Sequence, residues 1–271
     1  MRKIFSIALL LTVILIGSAR SFAAEDRAYF PTVIMYHDIK LFALNKFDVT
    51  IKDFVEQIKW LQRNGYETLS MDEFVEIVES GKKFSSRAVL ITFDDGYQGA
   101  GLYAARELRD RGMKATFFVN PNLLGTAIEG YPYMTEAEVK ALASEPWFSI
   151  ESHTMSHPHL DQISAEELSS ELEQSKAALE KLTGKTIRAL AYPYGDYDQS
   201  VIDASKAAGY AVGFAVDDRG LFEREARWSI PRIYMGLEVC ADHQKMFKQF
   251  VRNYRKMPPE AFAERWEPLG Q

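Results

Sequence analysis

The chain has almost no cysteine, no net positive charge and no low-complexity linker, and each lack argues against a class of protein. The only cysteine among the 271 residues is Cys240, so no internal disulfide can form and the fold must depend on its hydrophobic core. The formal net charge of −6 argues against nucleic acid as a partner. No linker-like segment divides the chain, and 47% hydrophobic residues suffice for one α/β domain.

The amino terminus has the pattern of a secretory signal peptide. Arg2 and Lys3 precede an apolar run from Ile4 to Ile16, which is short for a membrane span, and Ser21-Phe22-Ala23 then offers a cleavage site. This pattern predicts export to the periplasm or the extracellular space. An uncleaved membrane anchor is the alternative, while the lack of a cysteine after the apolar run argues against a lipoprotein.

These features set the domain boundaries that we expect. Residues 1–23 form the signal peptide, residues 24–31 a linker, and residues 32–271 the catalytic domain. Cleavage would remove three positive charges and take the net charge from −6 to −9. Such a surface tolerates a neutral or cationic substrate without selecting one, and we expect a monomer.

Strand-like and helix-like segments alternate along the chain. Apolar strand-like runs lie at 32–36, 88–93, 115–119, 148–151, 187–192, 210–216 and 228–234. Helical patterns lie at about 50–64, 70–81, 98–111 and 199–208, with two more that begin near 135 and 164. This alternation implies parallel pairing with right-handed crossovers, and we predict a distorted (β/α) barrel of seven or eight parallel strands. An open doubly wound sheet is the alternative, but no Gly-x-Gly-x-x-Gly follows the first strand.

Polar side chains follow two of these strands. Asp94 and Asp95 end the run from Ala88 to Phe93, and His153 and His157 follow the run that begins at Phe148. Carboxyl ends of parallel strands gather at one face of the fold, so these groups can converge. Two histidines and one aspartate make a three-ligand set for zinc or a similar ion, and the other aspartate is then free to act as a base. The sequence therefore predicts a metal-dependent hydrolase, although a solvated acidic turn and a chance His-x-x-x-His remain the plain interpretations.

Four segments in this order and spacing resemble the polysaccharide deacetylases of the NodB-homology type, carbohydrate esterase family 4. They are T-F-D-D-G-Y at 92–97, A-T-F-F-V at 115–119, S-H-T-M-S-H at 152–157 and A-Y-P-Y-G at 191–195. The likeness runs from about Val33 to Tyr234. It implies a distorted barrel and removal of N-linked acetyl groups from an amino-sugar polymer.

The resemblance also implies roles for individual residues. Asp95, His153 and His157 become the metal ligands, usually for zinc, with cobalt, nickel or iron also compatible. Asp94 becomes the general base on a water bound to the metal. The backbone amide of Tyr194, in the third motif, becomes the donor to the developing oxyanion.

The chain departs from the best-known family members around the base. Ala191 stands where they carry an arginine that orients the base, and we expect Arg232 to take this role, with a surface arginine at the end of a strand as the alternative. An aspartate-and-tryptophan pattern of the family is only loosely echoed, by Asp217, Asp218 and Trp228, which we expect to support the site from outside.

The general acid is the second departure. A leucine-to-histidine pattern near the carboxyl end is absent unless Leu237 to His243 serves. The chain instead resembles the subgroup that deacetylates poly-N-acetylglucosamine, in which a first strand ending in Tyr-His supplies the acid, here Tyr36-His37. Capping of the strand against Asp38 is the alternative for His37, and His159 is expected to be a loop histidine. The subgroup likeness favours a β-1,6-linked N-acetylglucosamine polymer.

Aromatic side chains near the predicted loops could form the floor of a polysaccharide groove, although most aromatics of such a chain belong to the core. The candidates are Tyr97, Tyr131, Tyr133, Trp147, Tyr194 and Trp228. Three other functions compete: a catalytically silent sugar-binding barrel, a glycoside hydrolase, which leaves the histidine pair unused, and a metal-dependent amidohydrolase on a small amide.

Overall fold

The computed structural model describes residues 30–216, 227–236 and 243–253, so the expected signal peptide and nearly all of the expected linker lie outside the described residues. The strands are β1 Thr32–Tyr36, β2 Asp38–Lys40, β3 Asp48–Thr50, β4 Glu67–Thr68, β5 Ala88–Phe93, β6 Ala115–Val119, β7 Ala127–Ile128, β8 Tyr131–Pro132, β9 Phe148–Ser152, β10 Ala189–Ala191, β11 Val212–Phe214 and β12 Ile233–Tyr234. The α-helices are α1 Ile51–Arg63, α2 Met71–Ser80, α3 Ala105–Arg109, α4 Glu136–Ala143, α5 Ala165–Thr183, α6 Gln199–Ala207 and α7 His243–Asn253.

The large sheet is parallel and curls into a distorted barrel. Its strands lie in the order β11, β10, β9, β6, β5, β1 and β12, and β4 pairs with the amino end of β5. This order follows the chain, with the last strand beside the first, whereas a doubly wound sheet would reverse direction at a switch point. Phe214 and Ile230 form a parallel bridge that brings the two edges together. The predicted barrel of seven or eight parallel strands is confirmed, and the doubly wound alternative is wrong.

Successive side chains of each strand point alternately into the barrel and toward the helices outside it. On β5, Ile91 and Phe93 belong to the cluster that packs against the surrounding helices, whereas Leu90 belongs to the interior cluster. Side chains two positions apart share a face, so Thr92 and Asp94 point inward with Leu90. This register directs the first aspartate of the pair into the barrel.

Capping interactions set the ends of several helices. Ser70, Thr135 and Ser164 each form a capping box with a glutamate three residues later, as the sequence predicts. Gly81 and Gly184 end α2 and α5 in the left-handed conformation. Among the described helices, none combines the length and the apolar character that crossing a bilayer requires.

Three local features differ from the sequence prediction. The segment expected to be one helix at 98–111 begins with a π-helical turn, Ala100–Ala104, before α3. Two short strand pairs, β2 with β3 and β7 with β8, lie outside the barrel in segments that have no strand-like apolar run. The strand expected at 228–234 is reduced to β12 and the bridge at Ile230.

Candidate metal centre and active site

The carboxyl ends of the barrel strands deliver the candidate residues to one site. His37 follows β1, Asp94 follows β5, His153 follows β9 and Tyr194 lies just after β10. Because these strands are parallel, the residues that follow them lie at the same end of the barrel. The charges of His37, Asp94, Asp95 and His153 influence one another, which reflects their proximity.

Asp94 is paired with Arg232 inside the barrel. The guanidinium donates from Nη1 to Oδ1 and from Nη2 to Oδ2, both at 2.7 Å. Arg232 is 4% exposed and Asp94 is 2% exposed. Nε of Arg232 donates to the carbonyl of Ala215 at 2.9 Å. Arg232 directly precedes β12, in which Ile233 pairs with Ile34 of β1. The side chain of Arg232 therefore extends inside the barrel toward the carboxyl ends of the strands, where it reaches Asp94. A surface position for Arg232 is therefore wrong.

The charge state of Asp94 follows from these partners. Burial alone would raise the pKa of this carboxyl, but the Arg232 guanidinium and then His153 lower it, and the net pKa lies below its ordinary value. A planar, two-bonded arginine also fixes the orientation of the carboxylate plane. Asp94 is thus held as an oriented anion beside the second aspartate.

Asp95, His153 and His157 converge with their ligand atoms. Oδ1 of Asp95 lies 3.1 Å from Nε2 of His153 and 3.3 Å from Nε2 of His157, and one ligand atom from each residue lies within 4.8 Å of the others. Oδ1 of Asp95 is buried. Although both nitrogens are close, this oxygen makes no hydrogen bond of acceptable geometry with the described residues. The short contact and the missing hydrogen bond are reconciled if the three atoms face a common point instead of one another.

The second nitrogen of His153 supports the same interpretation. Nδ1 of His153 lies 2.8 Å from the carbonyl oxygen of Ala191, to which it can only donate. This bond fixes the tautomer that leaves Nε2 with a free lone pair, as metal-binding histidines require. Two imidazole nitrogens and one carboxylate oxygen make a three-donor set of the kind that binds a catalytic divalent ion such as Zn²⁺.

A second group of metal-type donors is less suitable. His159, Asp161 and Asp196 also bring ligand atoms within 4.8 Å of one another, but they are more exposed. Nδ1 of His159 already contacts Oδ2 of Asp196 at 2.8 Å. The buried set is therefore the candidate metal centre.

Left-handed backbone conformations cluster around the candidate metal donors. Asp95, Thr154, His157 and Tyr194 have φ values of 68°, 69°, 65° and 60°. Among the described residues only Glu129 also has a positive φ without being glycine. Such conformations cost free energy in L-residues and concentrate at functional sites. The turns after β5, β9 and β10 are thus shaped to aim side chains or amides at one point.

His37 lies in the wall of the site and packs against two aromatic rings, which also contact each other. Its ring centroid is 5.1 Å from that of Phe47 and 5.7 Å from that of Tyr234. Burial lowers the pKa of His37, while Asp95 and Asp94 oppose this shift. Asp38 bonds the amide of Ile39 and pairs with Lys40, so the strand-capping alternative for His37 is not what the structure shows.

Tyr194 is the exposed edge of the third motif. Its side chain is 54% exposed, and its ring lies 4.6 Å from that of His157 and is stacked on that of His159 at 3.8 Å. The adjacent Gly195 has a φ of 77°, and a Cβ there would come within 2.8 Å of Val216, so the turn requires glycine. His159 was expected to be an ordinary loop histidine, but it supports the ring of Tyr194. The position of His159, two residues after a metal donor, is the only sequence signal for this contact.

Only some of the predicted aromatic groove residues are at the site. Tyr97 lies beside Tyr133 at 4.9 Å and Tyr131 at 5.9 Å, next to the turn that carries Asp95. Trp147 precedes β9, at the opposite end of the barrel, and packs on the core beside Gly112. Trp228 is buried and its carbonyl accepts a hydrogen bond from Tyr192. Both tryptophans pack in the fold, in line with the expectation that most of these aromatic residues belong to the core.

Some predicted residues cannot be placed. Asp217, Asp218 and the segment from Leu237 to Asp242, which includes Cys240, lie outside the described residues.

Comparisons with known proteins agree with this geometry. A family model described as polysaccharide deacetylase matches residues 81–213. The Bacillus subtilis protein YxkH, named as a polysaccharide deacetylase, is 32% identical over 201 residues, which cover 74% of this chain and 70% of the relative. The poly-β-1,6-N-acetyl-D-glucosamine N-deacetylase of Staphylococcus epidermidis is 29% identical over 199 residues, 70% of this chain and 68% of the relative.

A solved structure shares the fold. The deacetylase PplD of Streptococcus pyogenes, determined in complex with acetate, superposes with a TM-score of 0.69 over 88% of this chain and 98% of that protein, at 23% identity. The curled parallel barrel, the sequence relatives and the four motifs agree. This chain therefore belongs to the polysaccharide deacetylase family, the NodB-homology group called carbohydrate esterase family 4.

Proposed function

We propose that this deacetylase removes N-acetyl groups from an exported amino-sugar polysaccharide of the N-acetylglucosamine type and uses a divalent metal ion. One observation carries the proposal: Asp94, an anion fixed by Arg232, directly precedes the residue that completes a set of three metal donors. Amide hydrolysis needs a general base beside an activated water, and this arrangement can supply both. The catalytic domain would span residues 32–271, and export depends on the signal-like amino terminus.

Asp95, His153 and His157 would hold the ion, with Zn²⁺ preferred and Co²⁺, Ni²⁺ or Fe²⁺ also compatible. When bound, such an ion acts as a Lewis acid that polarises the acetamide carbonyl and lowers the pKa of water. The protein contributes the orientation of the donors. Ala191 fixes His153 through Nδ1, and the turns after β5 and β9 aim Asp95 and His157.

Asp94 would accept the proton of the attacking water. A carboxylate has about four lone-pair positions, so Asp94 can bind Arg232 through both oxygens and still receive a proton. The net lowering of its pKa keeps the carboxyl ionised at neutral pH and ready to act. Arg232 would then stabilise the negative form of the base between turnovers.

His37 would protonate the departing amine, which is a poor leaving group until it gains a proton. Burial lowers the pKa of His37, which makes its protonated form a stronger acid than a solvated imidazole. Its Nδ1 is buried and finds no hydrogen-bond partner among the described residues. This nitrogen is therefore available to a substrate or to a proton that arrives from the reaction.

Tyr194 would act through its backbone and its ring. Its amide, in the left-handed turn between Pro193 and Gly195, would donate to the oxyanion that forms on the acetyl carbon. The ring of Tyr194, supported by His159, and the rings around Tyr97 would provide aromatic faces on two sides of the site. The first strand ending in Tyr36-His37 and the likeness to a poly-β-1,6-N-acetyl-D-glucosamine deacetylase support a β-1,6-linked polymer as the substrate.

Acetate release from a panel of acetylated glycans tests this function. We expect the purified protein to release acetate fastest from β-1,6-linked poly-N-acetylglucosamine, to lose activity on treatment with a chelator, and to regain it with Zn²⁺ or Co²⁺. Release that survives complete metal removal would contradict the metal role. New reducing ends in place of acetate would instead indicate a glycoside hydrolase, whose carboxylate chemistry needs no metal.

A further inference from the structure

The loop between the two histidine donors adopts an unfavourable backbone that something must hold. Thr154 and His157 have φ values of 69° and 65°, in the left-handed region that disfavours side chains. Within the loop, Oγ1 of Thr154 accepts from the amide of His157 at 3.0 Å. One hydrogen bond within the loop is not enough to hold two left-handed residues within the four positions 154–157.

Helix α5 supports the loop from outside, while the amide of Asn122 and the side chain of Asn120 donate to the carbonyls of Met155 and Thr154 at 3.1 and 3.3 Å. Oε2 of Glu171 accepts from the backbone amides of Met155 and Ser156 at 2.8 and 2.9 Å, and Oε1 accepts from the hydroxyl of Ser156. One helical turn later, Oγ of Ser175 lies 2.7 Å from Oγ of Ser152, which accepts from the amide of Thr154 at 3.2 Å. Residues four apart share a helix face, so one face of α5 holds both ends of the loop.

The two histidines differ in how much they depend on this helix. His153 is fixed independently, because its ring bonds the carbonyl of Ala191 and its own carbonyl accepts from the side chain of Asn120. His157 has no comparable ring bond to a neighbouring backbone group among the described contacts, and its side chain is 21% exposed. Its placement follows from the loop conformation and therefore depends on Glu171, which binds the two amides that directly precede His157.

We propose that Glu171 is a positioning residue that holds His157 in its metal-binding orientation. The inference rests on the proposed function, since it assumes that His157 binds the ion. Glu171 does not touch the reacting atoms and acts only through the loop. Partners of metal ligands of this kind change metal affinity by roughly 10–100-fold when removed.

The test measures the affinity for Zn²⁺ by competition with a chromophoric chelator, in the purified full chain. Glu171→Ala should weaken binding by roughly 10–100-fold. Glu171→Gln should bind within a fewfold of wild type, because its carbonyl oxygen can still accept both amides and its amide nitrogen can donate to Ser156. Glu173→Gln is the matched control, since Glu173 lies on the same helix, is exposed, and accepts only from Ser169 in its own helix.

A double-mutant cycle separates positioning of His157 from a general effect on the fold. In the His157→Ala background, Glu171→Ala should produce little additional loss of Zn²⁺ affinity, because the residue it positions is gone. Additive losses, or equal affinity of Glu171→Ala and wild type, would overturn the inference. Wild-type protein that binds no Zn²⁺ would overturn both the inference and the proposed metal role, so the two failures are distinguishable.

Ser156→Ala keeps the test decisive if Glu171→Ala does not fold. It removes only the hydroxyl bond to Glu171, at an exposed loop position. We expect a fewfold loss of Zn²⁺ affinity, and no loss would contradict the role of the carboxylate.

Discussion

Asp94, Arg232 and His37 form one side of the site, the base side, and Asp95, His153 and His157 form the other, the metal side. On the base side, buried side-chain contacts fix each group: Asp94 is bonded twice to Arg232, and His37 packs against the rings of Phe47 and Tyr234. On the metal side, the backbone conformation of the turns positions most of the side chains. Asp95 and His157 both have left-handed backbones, although His153 does not.

The difference predicts how each side responds to substitution. A buried ion pair leaves an uncompensated charge when one partner is removed, so changes on the base side should affect folding as well as turnover. On the metal side, the side chains of Asp95 and His157 are 13% and 21% exposed and lie on turns, so changes there should mainly affect ion affinity. Substitution of Asp94 should therefore affect stability and turnover, whereas substitution of Asp95 should affect ion affinity.

The largest expected effect comes from exchanging these aspartates one at a time for asparagine. Asp94→Asn should retain the metal and lose about 10²–10⁴-fold in kcat, the usual contribution of a positioned base. Asp95→Asn should lose activity because it loses the metal, since it removes the anionic donor. Acetate release together with metal content, measured at low temperature where both variants are folded, distinguishes the two.

High Zn²⁺ concentration provides the control for this pair. Added Zn²⁺ should restore part of the activity of Asp95→Asn and none of that of Asp94→Asn. Equal rescue of both variants would mean that the two carboxylates do not have separate roles.

Arg232→Met tests the stability of the base side. The substitution leaves Asp94 buried without its cation, and we expect the free energy of unfolding to fall by about 3–5 kcal/mol. Urea denaturation measures this change. The double variant Asp94→Asn/Arg232→Met should be more stable than Arg232→Met alone, because no unpaired charge remains. A loss below about 1 kcal/mol, typical of exposed pairs, would show that the ion pair is not sealed from water.

Sequence reasoning was most successful where the determinants are local. The capping boxes at Ser70, Thr135 and Ser164 join residues three positions apart, and each begins a helix as predicted. Alternation of strands and helices predicted a parallel sheet, because parallel strands require crossovers, and the number of strand-helix units favoured a barrel over an open sheet. The metal donors could be named because each follows an apolar strand, but their assignment as ligands stays a prediction.

Contacts between distant segments were predicted only in part. The partner of Asp94 lies 138 residues away, and the sequence left an exposed position for Arg232 equally open. Glu171 was overlooked because a glutamate within a charged helix has no local signal of the loop that it supports.

The smallest expected effect concerns Asp38, which follows His37 at the edge of the base side. Its carboxylate is 1% exposed, bonds the amide of Ile39 at 2.9 Å, and lies 3.3 Å from Lys40. Burial raises the pKa of Asp38 to about 6, against the opposing charge of Lys40. The folded protein thus binds this proton more tightly than the unfolded chain, so stability is lost as the pH rises from about 4 to about 6.

Asp38→Asn removes this dependence without changing the shape of the side chain. We expect the variant to match wild type near pH 4 and to become the more stable protein as the pH approaches 6, by at most about 3 kcal/mol for a shift of about two units. Above pH 6 the gap should stay constant, because both states of the wild type are then ionised. Thermal melts across this range measure the gap. A gap that shrinks with rising pH would mean that Lys40 outweighs burial, and that Asp38, like Asp94, is held as a stabilising anion.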